Sequence, residues 1–508
     1  MTLFKEKIEE RDYQKAIFEK CKSGNTLVVL PTGLGKTIIS AMLVDYRLEK
    51  YPNSKILFLA PTKPLINQHM KTFSNLMDIK LEVSSGSVSS KEREIIYKEN
   101  QLIFATPQTI ENDMENDRID FSSFSLLVVD EAHHTIGNYS YVKIAREYMQ
   151  KSAHPLILGL TASPASEREK IKKICSNLGI TNVEIKSDED EDVVRYIKKK
   201  EIEPVIIDLP IELTNLSNLV KQMIKDTINQ LQDTGLLKNV PQSRINKVTI
   251  LLLQKNLQKQ MLSGKRSFYL IRGIILTSKL MKLYHAYSLV TTQSLLAFLN
   301  FILKIEKGKA KTDKELSSDP KFIYLKERAE YLLKNGVEHP KLDKLVYILK
   351  EYFSEDKKAI VFAQYRDTVD VIFSKISSLD NIKPVRFIGQ GKGGLSQKEQ
   401  VNIIREFEEG TYNVLVSTSV SEEGMSIKGV DLAIFYETIP SAIRNIQRRG
   451  RVGRFSAGKI FILITKGTND EGYYWISKKR ERSMKRIIKK IKDNPETIAQ
   501  DGTLNPFF

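Results

Sequence analysis

The chain has 508 residues, too many for one hydrophobic core and consistent with about three domains. Hydrophobic residues make up 41% and charged residues 28%, which excludes a disordered or fibrous class, and two cysteines, Cys21 and Cys175, exclude a disulfide scaffold or a cysteine-based zinc site. The 79 Lys and Arg outnumber the 62 Asp and Glu to leave +17, a balance that favours a polyanionic partner: nucleic acid first, an anionic membrane surface as the competing case.

The first 13 residues alternate charges without an apolar centre, so no signal peptide is read there, and no apolar run approaches the ~20 residues of a membrane span. From residue 25 to about 194, brief aliphatic runs at 26–30, 56–60, 102–105, 126–129 and 156–160 alternate with amphipathic stretches. That rhythm predicts βαβ units and a parallel sheet, assigned to a first lobe over 1–203.

Pro31-Thr32-Gly33-Leu34-Gly35-Lys36-Thr37 follows the first of these runs and opens a helix. Gly33 and Gly35 permit a tight turn, so backbone N–H groups and the helix N-terminus face phosphates. Lys36 then reaches the β/γ oxygens of ATP, Thr37 binds Mg²⁺ through its hydroxyl, and Thr32 lies in the same loop. A glycine is absent where Leu30 stands, which makes this the shorter form of the loop.

Asp130-Glu131-Ala132-His133 follows the run 126–129, at the strand tip where doubly wound sheets place ligands. Asp130 is the expected Mg²⁺ holder and Glu131 the acceptor of a proton from the attacking water. Thr161-Ala162-Ser163 ends the run 156–160 and, in order after the other two motifs, reads as a link between hydrolysis and movement. The acidic run 188–192 reads as a solvated loop at the edge of this lobe.

Residues 204–338 are assigned to a helical insertion that opens with a strand-like run at 205–209. Between Thr234 and Ile305 there is no Asp or Glu, yet Lys and Arg occur eleven times, among them Lys255, Lys259, Lys265, Arg266 and Arg272. Omitting acids forgoes the i,i+4 pairs that stabilise a solvated helix, and an external polyanion is the simplest compensation. A basic face with no ligand is the other reading.

Aliphatic runs return at 359–362, 385–388, 414–417, 432–436 and 459–464 and predict a second parallel-sheet lobe over 339–508, with a basic helical stretch at 478–492. Gln447-Arg448-Arg449-Gly450-Arg451-Val452-Gly453-Arg454 lies in this lobe. Arginine is planar and permanently charged, as stabilisation of a γ-phosphate requires. Arg451 and Arg454 are therefore read as arginine fingers and Gln447 as a γ-phosphate sensor, completing an ATP site between two lobes.

The ordered set of these four motifs resembles the superfamily 2 helicases, over almost the whole chain. Arg11-Asp12-Tyr13-Gln14 resembles their adenine-contacting segment, which implies Arg11 and Gln14 as ATP contacts. Pro61-Thr62-Lys63 and Thr106-Pro107-Gln108 resemble first-lobe nucleic-acid motifs, and Phe362-Ala363-Gln364-Tyr365-Arg366 and the segment from Ser417-Thr418 to Gly424 resemble second-lobe ones. The resemblance implies that Thr62, Thr106, Gln364 and Thr418 contact nucleic acid, and that His133, Thr161, Ser163 and Gly424 couple ATP to movement. Pro440-Ser441-Ala442-Ile443-Arg444 leading into the arginine run is similar to archaeal Hef and Fanconi-anaemia M-type helicases, which carry a thumb-like helical insertion. The implied fold is two RecA-like lobes around that insertion. The implied activity is ATP- and Mg²⁺-dependent 3′-to-5′ remodelling of stalled forks and Holliday junctions in DNA repair, in the cytoplasm at the nucleoid. A double-stranded-RNA-dependent ATPase is the alternative. Met425-Ser426 stands where the family has Leu-Asp, and no ERKxxxD nuclease motif is found, so a nuclease or sliding clamp is expected as a separate partner.

Overall fold

A computed structural model describes residues 3–6, 10–31, 33–137, 139–162, 168–187, 190–196, 201–237, 240–241, 245–264, 267–352, 357–389, 394–418, 427, 430–438 and 458–493. Among these residues two all-parallel sheets flank a helical block, and no helix is long and apolar enough to cross a membrane.

The first sheet comprises β1 (Thr26–Val29), β2 (Lys55–Leu59), β3 (Leu81–Ser84), β4 (Leu102–Ala105), β5 (Phe124–Val129), β6 (Ile157–Thr161) and β7 (Asn182–Ile185), in the order β3-β4-β2-β5-β6-β1-β7. The five inner strands are buried on both faces, so they are written as unbroken apolar runs. The edge strands β3 and β7 read LEVS and NVEI and are only partly covered, so no apolar run announces them.

The second sheet comprises β8 (Glu201–Ile207), β9 (Ala359–Phe362), β10 (Pro384–Phe387), β11 (Val414–Ser417), β12 (Leu432–Phe435) and β13 (Lys459–Thr465), in the order β10-β11-β9-β12-β13-β8. β8 departs from the sequence expectation. Its residues from Pro204 to Ile207 were assigned to the insertion, but the strand runs beside β13 from Glu201 opposite Lys459 to Ile207 opposite Thr465. It is a largely exposed edge strand, and Lys459 answers Glu201 and Glu203 at 3.7 and 3.6 Å, so charge rather than apolar burial marks it.

The chain leaves this edge for the helices Ile211–Asp233, Lys247–Leu262, Phe268–Ser288, Leu295–Glu306, Lys311–Ser317 and Pro320–Lys334. Leu216, Val220, Leu276, Leu280, Phe298 and Ile302 lie in their common core. A π-helical turn, Leu289–Gln293, joins the third of these helices to the fourth. It redirects carbonyls away from the i→i−4 ladder, and the second lobe takes them up. Lys341, fully buried, donates from Nζ to the Thr292 carbonyl at 3.0 Å, to the Tyr436 carbonyl at 2.7 Å and to the Asp470 carboxylate. Tyr436 Oη donates to the Gln293 carbonyl at 2.6 Å, and Thr368 Oγ1 donates to Gln293 Oε1 at 2.9 Å. Asp470 also accepts from the Thr438 N–H at 3.2 Å. These buried hydrogen bonds fasten the insertion to the second sheet.

Candidate active site

The phosphate loop leaves β1 and turns through Gly33 at φ 86° and Gly35 at φ 81°, left-handed backbone that glycine adopts without a Cβ penalty. Gly35 caps the helix Lys36–Lys50, so the first N–H groups of that helix point out of the strand end. A Cβ on residue 35 would also lie 2.3 Å from Gln14 Nε2. Gln14 is buried because it braces the loop: its Nε2 donates to the Leu34 carbonyl at 3.1 Å and Tyr13 Oη donates to the same oxygen at 2.7 Å. Arg11 donates from its backbone N–H to Gln14 Oε1 at 3.1 Å and from Nη1 to Tyr13 Oη at 3.1 Å, while its guanidinium lies 4.6 Å from the centre of the Tyr196 ring. Lys36 Nζ donates to the Leu30 carbonyl at 3.0 Å. Thr37 is the second residue of the helix and half-buried.

Strand order assembles the rest. β6 lies between β1 and β5, so the ends of these three strands bring the loop, Thr161 and the Asp130–Glu131 pair to one edge of the sheet. Asp130 is buried, anchored by its N–H to the Leu59 carbonyl at 2.8 Å, and its Oδ2 lies 2.7 Å from His69 Nε2. Burial works to raise its pKa, but the charge and hydrogen bond of His69, then the charge of Lys36, hold the carboxyl below the ordinary aspartate value. Asp130 is therefore an ionised carboxylate beside the loop lysine.

Glu131 adopts φ 50° and ψ 49°, a left-handed conformation that costs a non-glycine residue on the order of 1 kcal/mol or more. Its Oε2 is buried and lies 3.3 Å from His133 Nδ1, yet forms no hydrogen bond among the described residues. His133 Nδ1 instead lies 3.2 Å from Thr161 Oγ1, so the structure joins two residues expected to couple hydrolysis to movement. A glycine cradle, an ionised aspartate and a glutamate oxygen with spare acceptor capacity fit a Mg²⁺–nucleotide.

The two sheets repeat one arrangement for the expected nucleic-acid contacts. β2 pairs with β4, so Thr62 and Thr106 follow adjacent strands; β9 pairs with β11, so Gln364 and Thr418 do the same. Thr106 Oγ1 lies 2.9 Å from Thr109 Oγ1, and Gln364 is exposed. Thr418 is buried, with its N–H bonded to the Phe387 carbonyl at 3.0 Å. Thr62 Oγ1 is buried with no hydrogen bond among the described residues.

Part of the compensation expected from an external polyanion is internal. Arg272 pairs with Glu315 at 2.7 Å, Lys279 with Asp319 at 3.5 Å, and Lys282 with Asp313, all acids beyond residue 305. Arg272, expected to touch nucleic acid, is thus engaged by a carboxylate. Lys255 and Lys259 are exposed, with no ion pair among the described residues. Thr32, Ser163, Gly424, Gln447, Arg451, Arg454, Lys265 and Arg266 lie outside the described residues.

Sequence reasoning missed His69, Tyr13 and Tyr196. His69 sits on the helix Lys63–Leu76 and reaches Asp130 only because β2 and β5 are neighbours, a pairing no local pattern encodes. Tyr13 stood inside the motif Arg11-Asp12-Tyr13-Gln14, and its place beside Gln14 was the available signal.

Three family models match the chain: "Type III restriction enzyme, res subunit" over residues 7–166, "Putative ATP-dependent RNA helicase, helical bundle" over 212–335 and "Helicase conserved C-terminal domain" over 340–456. A putative ATP-dependent RNA helicase of Methanocaldococcus jannaschii is 41% identical over 494 residues, covering 95% of this chain and 61% of that protein. The Fanconi anemia group M protein homolog of Mus musculus is 30% identical over 531 residues (96% and 26%), and the ATP-dependent DNA helicase fml1 of Schizosaccharomyces pombe 31% over 480 residues (91% and 57%). The chain therefore spans from about a quarter to about three fifths of these relatives' lengths. The crystal structure of the Pyrococcus furiosus Hef helicase domain matches with a TM-score of 0.69 at 42% identity, covering 94% of this chain and all of that one.

Proposed function

Because this chain belongs to the superfamily 2 helicases of the Hef, Fanconi anemia M and Mph1 type, we propose that it is an ATP-hydrolysing DNA translocase that moves 3′-to-5′ and remodels branched DNA such as stalled forks and Holliday junctions. A separate nuclease or sliding clamp belongs to this reading as a partner acting on the remodelled branch. The observation that carries the proposal is the convergence of Lys36, Asp130, Glu131 and the His133–Thr161 pair at one strand edge, with a basic helical block fastened to the other sheet.

The chemistry divides among residues already placed. Backbone N–H groups of the loop and Lys36 neutralise the phosphates, while Gln14 and Arg11 brace the loop from behind. Thr37 and Asp130 would hold Mg²⁺, which would supply further neutralisation of the phosphate charge. Glu131 orients the attacking water and takes its proton. His133, hydrogen-bonded to Thr161 on the neighbouring strand, senses displacement of that strand end. Gln447, Arg451 and Arg454 complete the site when the lobes close.

One assay tests this: ATP turnover of the same preparation with single-stranded, blunt duplex, forked and four-way DNA and with double-stranded RNA. Strongest stimulation by forked or four-way DNA is expected. The relative from M. jannaschii and the helical-bundle model are both named for RNA helicases, which favours a second reading, an RNA-dependent ATPase; stimulation by double-stranded RNA above every DNA would select it.

A further inference from the structure

Two of the insertion's helices, Lys247–Leu262 and Phe268–Ser288, form a hairpin whose free end is built unlike the rest of the surface. Leu262 is 90% exposed and Phe268 is 78% exposed, the two highest values for large hydrophobic side chains among the described residues, and Tyr269 is 64% exposed. The Phe268 and Tyr269 rings meet edge to face at 6.2 Å. Helix formation does not require them: Ser267 caps the helix by accepting from the Leu270 N–H at 3.2 Å, and Leu270 is the first side chain of that helix to enter the core. The two rings occupy the first helical positions, where polar residues serve as well or better.

The stem beneath them is rigid. A Cβ on Gly273 would lie 2.4 Å from Leu236 Cδ1 and 3.1 Å from Leu257 Cδ1, so the helices approach closely there, and Leu276, Leu280 and Leu283 anchor the far end in the core. Charge is divided between the two helices of the hairpin. On Phe268–Ser288 the cations Arg272, Lys279 and Lys282 are matched by carboxylates, whereas on Lys247–Leu262 the cations Lys255 and Lys259 are exposed without a carboxylate partner among the described residues. Positions 255, 259 and 262 follow i, i+4, i+7 spacing, so these lysines and Leu262 share one helix face.

We propose that this hairpin end is a base-stacking tip for unpaired nucleotides where a duplex opens, with Phe268 and Tyr269 against the bases, Leu262 beside them, and Lys255 and Lys259 on the adjoining phosphates. Aromatic faces interleaved with cations suit single strands, because every base has a π-face and every link a phosphate. Paired bases present no free face, so the tip distinguishes an opened junction from an intact duplex. The stretch from Thr234 to Ile305 contributes no Asp or Glu, and its Lys255 and Lys259 stay exposed without a carboxylate among the described residues. That favours this occupant over an apolar protein partner, which would have to be acidic as well. The inference rests on the DNA reading above and adds the place where the strands are told apart.

The test compares the full chain with a Phe268→Ala/Tyr269→Ala double variant by fluorescence anisotropy, on forked DNA and on blunt duplex of equal length, with 2-aminopurine at the fork. A weakening of about tenfold on the fork is expected, from the typical loss when a stacking ring is removed. Blunt-duplex affinity should change less than about twofold, since phosphate contacts supply it. Loss of 2-aminopurine quenching should accompany the weakening, and Phe268→Tyr/Tyr269→Phe should retain both. Equal loss on the two DNAs, or no loss on either, overturns the tip; unchanged DNA binding would leave the patch to a protein partner. Failure of the wild-type chain to bind either DNA would instead overturn the DNA reading itself.

Discussion

The two sheets share one architecture, parallel strands with expected site residues at their ends, yet the Asp130–Glu131 pair of the first and the Lys341–Asp470 pair of the second are bonded in opposite ways. In the first, Asp130 and Glu131 sit at a strand tip with acceptor capacity in reserve: Glu131 Oε2 is buried without a hydrogen bond among the described residues, on strained backbone. In the second, Lys341 spends its ammonium hydrogens on two carbonyls and a carboxylate, and Asp470 is shared with Thr438. An under-satisfied charge is poised for a ligand, and a satisfied one holds parts together. The contrast agrees with the proposed hydrolysis at the first sheet and with Lys341 and Asp470 as part of the joint between the insertion and the second.

The largest effect should come from the open network. Replacing Glu131 with Gln should lower DNA-stimulated ATP turnover by a factor on the order of 10²–10⁴, the usual worth of a general base, while ATP and DNA affinity and the unfolding midpoint stay close to wild type. A turnover loss below about tenfold, within that same framework of general-base catalysis, would remove Glu131 from the role.

Lys341→Met should act on stability instead. Leaving Asp470 buried without its cation should cost roughly 3–5 kcal/mol, read as a lower urea midpoint, and Lys341→Met/Asp470→Leu should recover much of it. If the single variant unfolds like wild type, the linkage is not the fastening described here.

The smallest expected effect is a pH dependence at the same root. His339 is fully buried; its Nε2 faces the Thr291 carbonyl at 3.1 Å and its Nδ1 accepts from the Lys341 N–H at 3.3 Å. That network fits only the neutral ring, and burial, reinforced by Lys341, pushes its pKa down to about 3 from the ordinary value near 6.5. The unfolded chain therefore binds more protons between those values. The stability contribution is complete above about pH 6.5 and is lost as pH falls toward about 3, with a limiting slope of about 1.4 kcal/mol per pH unit. His339→Asn should flatten urea midpoints measured between pH 7 and 5; an unchanged slope would show that other groups set it.

Much of the site was readable along the chain because its signals are local. A glycine pair before Lys36 and a carboxylate pair after an aliphatic run each mark a strand end within a few residues. The edge strands β3 and β7 were not readable, since they lack the two-sided burial that writes an apolar run, and β8 was legible as a strand-like run at 205–209 but not as part of the second sheet. His69 was hidden for another reason: nothing near it in sequence indicates that Asp130 is its partner. The basic block was legible as charge but not as a division of labour, because the acids that quench its root, Asp313, Glu315 and Asp319, lie outside the stretch that lacks them.

The sequence by itself determined the two-sheet class, the phosphate loop, the carboxylate pair and the excess of positive charge, because each depends on residue type and short-range spacing. Tertiary structure alone decided which strand tips meet, that β8 joins the second sheet, that Lys341 fastens the insertion to it, and which cations stay open to solvent. Those outcomes turn on strand order and on contacts between residues far apart in the chain, where the pairing energy belongs to the fold rather than to any one segment.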